Sequence, residues 1–457
     1  MSDFSLTAYL NDQHTIHLVG IGGVSMSALA ELLMHLGSHV TGSDRARSSV
    51  TEKLENLGAK ITYAHLPENV EGASVVIRTA AVHDDNPEIQ RARALDIPVI
   101  ERAQAWGWIM KNYREAICIA GTHGKTTTTS MMTLIGMEAG IDPTVMVGSE
   151  LPAIGGTLRI GSHNCFVAES CEYTNSFLSF HPTIAVVLNV EEDHLDFFHD
   201  IDDIVHSFQK FCALTPPNGL VVLNHDSANA MRCAEGLDRT VRTFGESKDA
   251  DVYPDFIDDE NGYYEFDVFA DGHLYSHIHL SVPGHHNMLN ALACCAVCSR
   301  LGISGRAVAD GLRNFTGSAR RFQLTGYTEN GIRVVDDYAH HPTEMRATLS
   351  SAREMNFNRI ICVFQPHTYT RTAALFDEFV DALKLCDKVY LADIYAAREQ
   401  NTIGISSKDL ADRIEGAEYY PSFDKIEDHL LEYAKPGDLI LTMGAGDVYK
   451  VGERIVV

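Results

Sequence analysis

Nowhere does the chain carry a run of about 18 consecutive apolar residues, so no membrane-spanning helix is expected. The opening MSDFSLTAYLNDQ has no basic stretch and no apolar core, so no signal peptide is expected there. Positive charge is scarce: 36 Lys and Arg stand against 62 Asp and Glu, a formal net charge of −26. Such a surface repels nucleic-acid phosphates and anionic lipid, so neither is expected as a partner. An anionic substrate would then need local arginines, lysines, metal ions or helix ends. The ten cysteines show no paired CxxC spacing, which removes structural zinc and a disulfide framework. Cys294, Cys295 and Cys298 fall in NALACCAVCSR, an Ala-rich run that reads as small residues on a packed helix. A cytoplasmic, reduced protein is expected.

What is present is ample for a core. At 457 residues the chain should divide into two or three domains. Strand-like and helix-like stretches alternate through most of it, which implies α/β architecture with parallel sheets. Strands are expected at 17–19, 39–41, 74–77 and 97–100. A second series begins near Ile117, with strands at 165–168, 184–188 and 220–223. Residues 253–282 turn β-rich and antiparallel, with turns at Asn261-Gly262 and Asp271-Gly272. A helical run over 287–301 leads to a linker at 315–318. The last third alternates again, with strands at 332–335, 360–364, 388–391 and 439–441. Boundaries are placed near residues 110 and 318.

The most informative stretch is AICIAGTHGKTTTTS, residues 116–130. A short apolar run meets a glycine turn, then Lys125 and four threonines. Strand, tight turn and helix start in that order aim backbone N–H groups and a positive helix end at one spot, which suits a phosphate. Lys125 adds a point charge, and the hydroxyl of Thr126 or Thr127 can reach a magnesium ion. The turn is a shortened P-loop, GTHGKT, because Ile119 stands where the full pattern has glycine. The chain is expected to handle ATP.

Other polar groups follow predicted strand ends, and strand ends in a parallel sheet share one edge. Glu169 and Glu172 follow one strand; Asp193, His194 and Asp196 follow another. Oxygen and imidazole ligands beside ATP phosphates suit Mg2+. His285, His286, Asn287 and Asn290 open a helix, where asparagine can cap or can face an adenine. Arg320 and Arg321 adjoin the linker and can clamp oxyanions. Asp336, Asp337, His340 and His341 follow a further strand, and Gln365, His367 and Arg371 the next. Near the start, Gly20, Gly22 and Gly23 with Asp44 form half a dinucleotide fingerprint, Ser25 standing at its third glycine.

GTHGKTTT, AESCEY, NVEEDHLD, GHHNMLNALA, SARRFQ, DDYAHHPTE and FQPHTYTRT occur in the order seen in the ATP-dependent Mur ligases, and the chain resembles that family over nearly its full length. The resemblance implies three domains: a Rossmann-like N-terminal domain over 1–110 that binds a UDP-sugar, a central P-loop-type α/β ATPase domain over 111–317, and a C-terminal Rossmann-like α/β domain over 318–457 that receives the amino acid. The implied reaction joins the lactyl carboxylate of UDP-N-acetylmuramate to L-alanine through an acyl phosphate, with ATP becoming ADP and phosphate. By resemblance, Gly121, Thr122, His123, Gly124, Lys125, Thr126 and Thr127 cradle ATP. Asn287 and Asn290 lie at the adenine, Asp337 near the ribose, and Arg321 at the phosphates. Thr126 and Glu172 hold one Mg2+, and His194 a second. His341 lies close to the reacting groups. His17, Gly20, Gly22, Gly23, Ser43 and Asp44 take the sugar nucleotide, while Arg371 pairs with the alanine carboxylate and His367 shapes its pocket. The resembling pattern departs at Ser25, at Thr368 (arginine in many alanine-adding relatives) and at Gln209, where relatives that add later residues use a carbamylated lysine. The last departure favours an alanine-adding member. A monomer or weak homodimer is expected.

Competing readings are a recycling ligase that attaches a preformed tripeptide to the same sugar nucleotide, an NAD-dependent oxidoreductase resting on Gly20–Gly23 and Asp44, and a non-catalytic nucleotide-binding regulator. The last two leave the joint presence of Lys125, Glu172 and His194 without a purpose.

Overall fold

Three sheets, each wrapped by helices, account for the chain in the computed structural model, which describes residues 5–397 and 399–457. The first residues of the opening segment lie outside that range. The first sheet orders its strands Lys60–Thr62, His39–Ser43, Thr15–Val19, Val75–Arg78 and Val99–Glu101, all parallel. The runs are short and apolar because parallel strands are covered on both faces.

The central sheet has ten strands. Its parallel middle contains Glu115–Ala120, with Cys165–Glu169 on one side and Ile184–Val187 on the other. One margin is an antiparallel meander of Val252–Glu260, Tyr263–Ala270 and His273–His279, joined by the turns read at Asn261-Gly262 and Asp271-Gly272. The other margin is Thr144–Leu151 paired with Gly156–Arg159. The third sheet runs Gln323–Tyr327, Arg333–Asp337, Leu439–Met443, Ile360–Phe364, Lys388–Leu391 and Glu418–Tyr419; only its first strand is antiparallel.

The first and central sheets share a continuous core. The helix Arg102–Met110 supplies it, burying Trp106 with its ring 5.9 Å from that of Phe166. Gly107 of that helix lies so close to the carbonyl of Ser179 that an added Cβ would come within 1.9 Å of it. The indole N–H of Trp106 donates to Ser25 Oγ at 3.1 Å. Ser25, the departure from the glycine pattern, is therefore a packing acceptor at the foot of the first helix, Val24–His35. The Ala-rich cysteine run is a buried helix, His285–Leu301, against the opposite face of the central sheet, with Cys294, Cys295 and Cys298 in its core. Among the described residues no helix is long and apolar enough to cross a membrane.

Candidate active site

The strand Glu115–Ala120 ends at the glycine turn, and the helix Lys125–Glu138 begins directly after it. Gly124 caps that helix at φ +83, where an added Cβ would stand 2.6 Å from Asn290 Oδ1. Only glycine suits that position. Asn189 fixes the turn: its side-chain oxygen accepts from the N–H of His123 at 2.7 Å, and its carbonyl from that of Thr122. The Thr122 hydroxyl accepts from the N–H of Glu191. Lys125 Nζ donates to the Thr122 carbonyl at 2.9 Å and sits 3.1 Å from Glu172 Oε2. Burial opposes its charge, but Glu172 raises its pKa.

From Lys125 a continuous series of polar contacts leads into the third sheet. Glu172 Oε1 lies 3.9 Å from His194 Nε2, and His194 Nε2 lies 3.7 Å from Asp193 Oδ2. Asp193 Oδ1 accepts from Arg371 Nη2 at 2.9 Å and Nε at 3.2 Å. Burial would raise the Asp193 carboxyl, but Arg371 and His194 hold it well below the usual carboxylate range. Arg371 Nη1 reaches His367 Nδ1 at 3.3 Å. His367, driven down to about 4 by burial and by Arg371, is neutral and accepts there. Its ring stacks on Tyr395. Backbone strain gathers here: His194 has φ 53 and Thr368, a β-branched residue, φ 67.

A cavity of about 440 Å³ opens between the glycine turn, the start of the helix His285–Leu301 and the linker. His123, Gly124, Thr126, Thr127, Asn287, Asn290, Arg321 and Asp337 line it, eight of the residues expected at a nucleotide. Some expected roles change. The helix starts at His285 with Gly284 as its cap, so Asn287 is not a cap; its amide donates to the Pro283 carbonyl. Asn290 donates to Asn287 Oδ1 and accepts from the Thr128 hydroxyl, tying two helices together beside the cavity. Both carboxylate oxygens of Asp337 accept backbone N–H groups, from Phe322 and Ala339 at 2.7 Å, and burial lifts its pKa to about 6. Arg320 and Arg321 part company. Arg320 pairs with Asp336 and with the carbonyls of Gly444 and Gly446, whereas Arg321 faces the cavity.

Of the expected metal ligands, Glu172 and His194 are neighbours, but the Thr126 hydroxyl donates to Glu169 Oε2 at 2.9 Å instead of facing Glu172. Glu169 thus joins the set, giving oxygen donors and one imidazole at a single sheet edge, a composition that fits Mg2+. A second cluster, His123, Glu191 and His341, has ligand atoms within 4.8 Å of one another. It does not suit a metal. His341 Nδ1 accepts from the N–H of Thr343 while Nε2 faces the Glu192 carbonyl at 3.1 Å, so both nitrogens are engaged. His341 caps the helix Pro342–Glu354 and lines a separate cleft of about 340 Å³, not the nucleotide cavity. Its ring lies 4.8 Å from that of His123, which lines the nucleotide cavity, and the two clefts share Glu191 and Thr343.

Among the first-sheet residues, Gly22 donates to Asp44 Oδ2 at 2.7 Å, and Gly20 and Ile21 donate to the Ser43 carbonyl. Asp44 is thereby turned toward its own glycine turn and away from the free ribose contact that the oxidoreductase reading needs. The side chains of His17 and Ser43 are 1% and 0% exposed and face Glu88. Sequence reasoning assigned no role to Glu88, Glu191 or Glu344; Glu191 and Glu344 stand inside the motifs NVEEDHLD and DDYAHHPTE, whereas Glu88 carries no local signal.

Glu344 and Glu191 flank His123 at 3.3 Å and 3.4 Å, joining the phosphate turn to the third sheet's first helix. Burial opposes the His123 charge, yet the two carboxylates push its pKa up to about 9. An imidazole in an unfolded chain titrates near 6.5. The raised value makes the protonated form stabilising; that contribution is complete below about pH 6.5 and is lost as the pH rises through about 9. The difference in Tm between wild type and His123→Gln should therefore shrink from pH 6.5 to pH 9.5. A difference that stays constant across that range contradicts a charged His123.

Comparison with known proteins agrees with this geometry. Family profiles described as "Mur ligase family, catalytic domain", "Mur ligase middle domain" and "Mur ligase, glutamate ligase domain" match residues 15–114, 119–298 and 320–446. The UDP-N-acetylmuramate–L-alanine ligase of Acetivibrio thermocellus is 52% identical over 447 residues, covering 96% of this chain and 95% of the relative. That of Caldanaerobacter subterraneus subsp. tengcongensis is 48% identical, covering 96% and 97%. Among solved structures, the UDP-N-acetylmuramate-alanine ligase of Thermotoga maritima superposes with a TM-score of 0.80 at 30% identity, covering 96% of this chain and 98% of that one. A murein peptide ligase from Psychrobacter arcticus shares the fold, with a TM-score of 0.71 at 24% identity, covering 97% and 98%. With three sheets in this order, a phosphate turn at the centre and matches along almost its whole length, the chain belongs to the Mur ligase family.

Proposed function

We propose that the protein is an ATP-dependent ligase that joins L-alanine to UDP-N-acetylmuramate, the activity named for its relatives. The observation that carries this reading is the polar series from Lys125 through Glu172, His194, Asp193 and Arg371 to His367. One end is a phosphate turn. The other pairs a guanidinium with a neutral imidazole, and the guanidinium can receive a carboxylate. A reaction that activates an acid with ATP and hands it to an amino acid needs those two ends and a short path between them.

The residues divide the work. The glycine turn, Thr126 and Thr127 take the triphosphate, and Arg321 reaches it from the linker side. The lactyl carboxylate attacks the terminal phosphorus; ADP leaves and an acyl phosphate forms. The amine of L-alanine then attacks the acyl carbon, and phosphate leaves. Both steps crowd negative charge, so positioning and fixed cations dominate the catalysis. Lys125 supplies the nearest fixed charge. Thr126, Glu169, Glu172 and His194 would hold Mg2+, which supplies charge neutralisation at the phosphates. Arg371 and the neutral His367 receive the alanine carboxylate. Residues 1–110 take the sugar nucleotide, 111–317 ATP, and 318–457 the amino acid; water-soluble substrates of this kind suit a cytoplasmic enzyme.

A phosphate-release panel tests the reading. Release is expected only when ATP, UDP-N-acetylmuramate and L-alanine are all present. Release with a preformed tripeptide but not with L-alanine would assign the recycling reaction instead.

A further inference from the structure

Glu88 is a buried carboxylate that none of the roles above uses. It lies in the first turn of the helix Pro87–Ala94 and is 0% exposed. Four side chains donate to it or face it. Oε1 lies 2.6 Å from Asn69 Nδ2 and 3.3 Å from His17 Nε2; Oε2 lies 2.7 Å from both Ser43 Oγ and His65 Nδ1. Those partners come from the strands Thr15–Val19 and His39–Ser43, from the loop after Lys60–Thr62, and from the short turn Pro67–Val70. Burial would raise the carboxyl, but His17, Asn69, Ser43 and His65 together hold its pKa below the usual value.

A buried charge is costly unless fully partnered, and an apolar side chain of similar volume would fill the space without that requirement. What the carboxylate adds is register. Ser43 is the link. Its hydroxyl donates to Glu88, while its carbonyl accepts from the N–H groups of Gly20 at 2.8 Å and Ile21 at 3.0 Å. The next residue, Asp44, accepts from Gly22. Two adjacent residues at one strand end thus hold three consecutive N–H groups of the glycine turn, and Glu88 fixes the first of the two. The turn has no slack: an added Cβ on Gly22 would meet Asp44 Oδ2 at 2.8 Å, and one on Gly42 would meet Ile21 Cδ1 at 2.6 Å.

We infer that Glu88 is a positioning residue for sugar-nucleotide binding, acting through Ser43 to set the Gly20–Gly23 turn. The inference rests on the proposed function, which gives the sugar nucleotide to residues 1–110, and on the family resemblance that puts it at that turn. His17 and His65 complete the carboxylate's shell and act on the ligand only through it.

Calorimetric titration of the full-length protein with UDP-N-acetylmuramate and, separately, with ATP tests this. Glu88→Gln keeps the shape but puts an amide donor against donors. It should weaken sugar-nucleotide binding by about tenfold, leave ATP binding within about twofold, and raise KM for the sugar nucleotide while kcat at saturation stays within about threefold. Ser43→Ala, which removes only the linking hydroxyl, should shift the same Kd by about threefold or more. Asn69→Ala removes a partner that reaches the turn only through Glu88, and should move that Kd less than Ser43→Ala does while lowering Tm. A folded Glu88→Gln protein with wild-type sugar-nucleotide affinity, or with ATP binding weakened equally, overturns the inference. Should Glu88→Gln not fold, an unchanged Kd in Ser43→Ala overturns it. Failure of the wild type itself to bind UDP-N-acetylmuramate would instead remove the functional reading, and the inference with it.

Discussion

Lys125→Ala is expected to cut ligase turnover by about a thousandfold, the scale on which loss of one preorganised charge at a reacting centre is felt. Lys125 Nζ is the cation of the glycine turn, held between the Thr122 carbonyl and Glu172. No neighbour can replace it. Arg321 approaches from the linker, and Arg371 sits at the far end of the polar series beside Asp193 and His367. The substitution also leaves Glu172, 3% exposed, without its cation. Breaking a buried ion pair on one side costs roughly 3 kcal/mol, so a lower Tm should accompany the loss. ADP release at saturating substrates, measured beside a melting curve, separates the two effects. A folded variant that keeps a tenth of wild-type turnover would take Lys125 out of the chemistry.

Arg371→Ala is expected to raise KM for L-alanine by about a hundredfold while leaving ATP binding in place. Truncating one partner of a buried, hydrogen-bonded charge pair costs about 2–5 kcal/mol, which spans that factor. Arg371 presents one edge to Asp193 and the other to His367, so it has a fixed orientation before any amino acid arrives. The strained backbone at Thr368, three residues earlier, sets the start of its helix. Arg371→Lys should recover little of the loss, because an ammonium lacks the planar fork that grips two acceptors. Initial rates across an L-alanine series decide the matter. An unchanged KM in the alanine variant would move the amino-acid carboxylate to another residue.

The parts legible in the sequence were those with a local signature. The run from Ala116 meets glycine and lysine within ten residues, and the structure has strand, turn and helix there. The meander at 253–282 announced itself through two turn dipeptides. The strand Thr240–Phe244 was missed because Arg242 interrupts its apolar run, and Thr144–Leu151 because Gly148 cuts its run after three apolar residues. Arg320 and Arg321 are adjacent and chemically identical, yet Arg320, with left-handed backbone at φ 59, pairs with Asp336 while Arg321 faces the cavity and Glu344. His17 and Ser43 read as ligand contacts because they border the glycine turn. Their burial follows from Glu88, a residue more than forty positions away. Such networks draw each partner from a different segment, and no window along the chain contains them.

The account turns on the acid being phosphorylated before the amine attacks. UDP-N-acetylmuramate labelled with 18O in its lactyl carboxylate tests this step directly, read by mass spectrometry of the phosphate released during turnover. One labelled oxygen per phosphate is the predicted result. Phosphate free of label, alongside normal formation of the alanyl product, would contradict it.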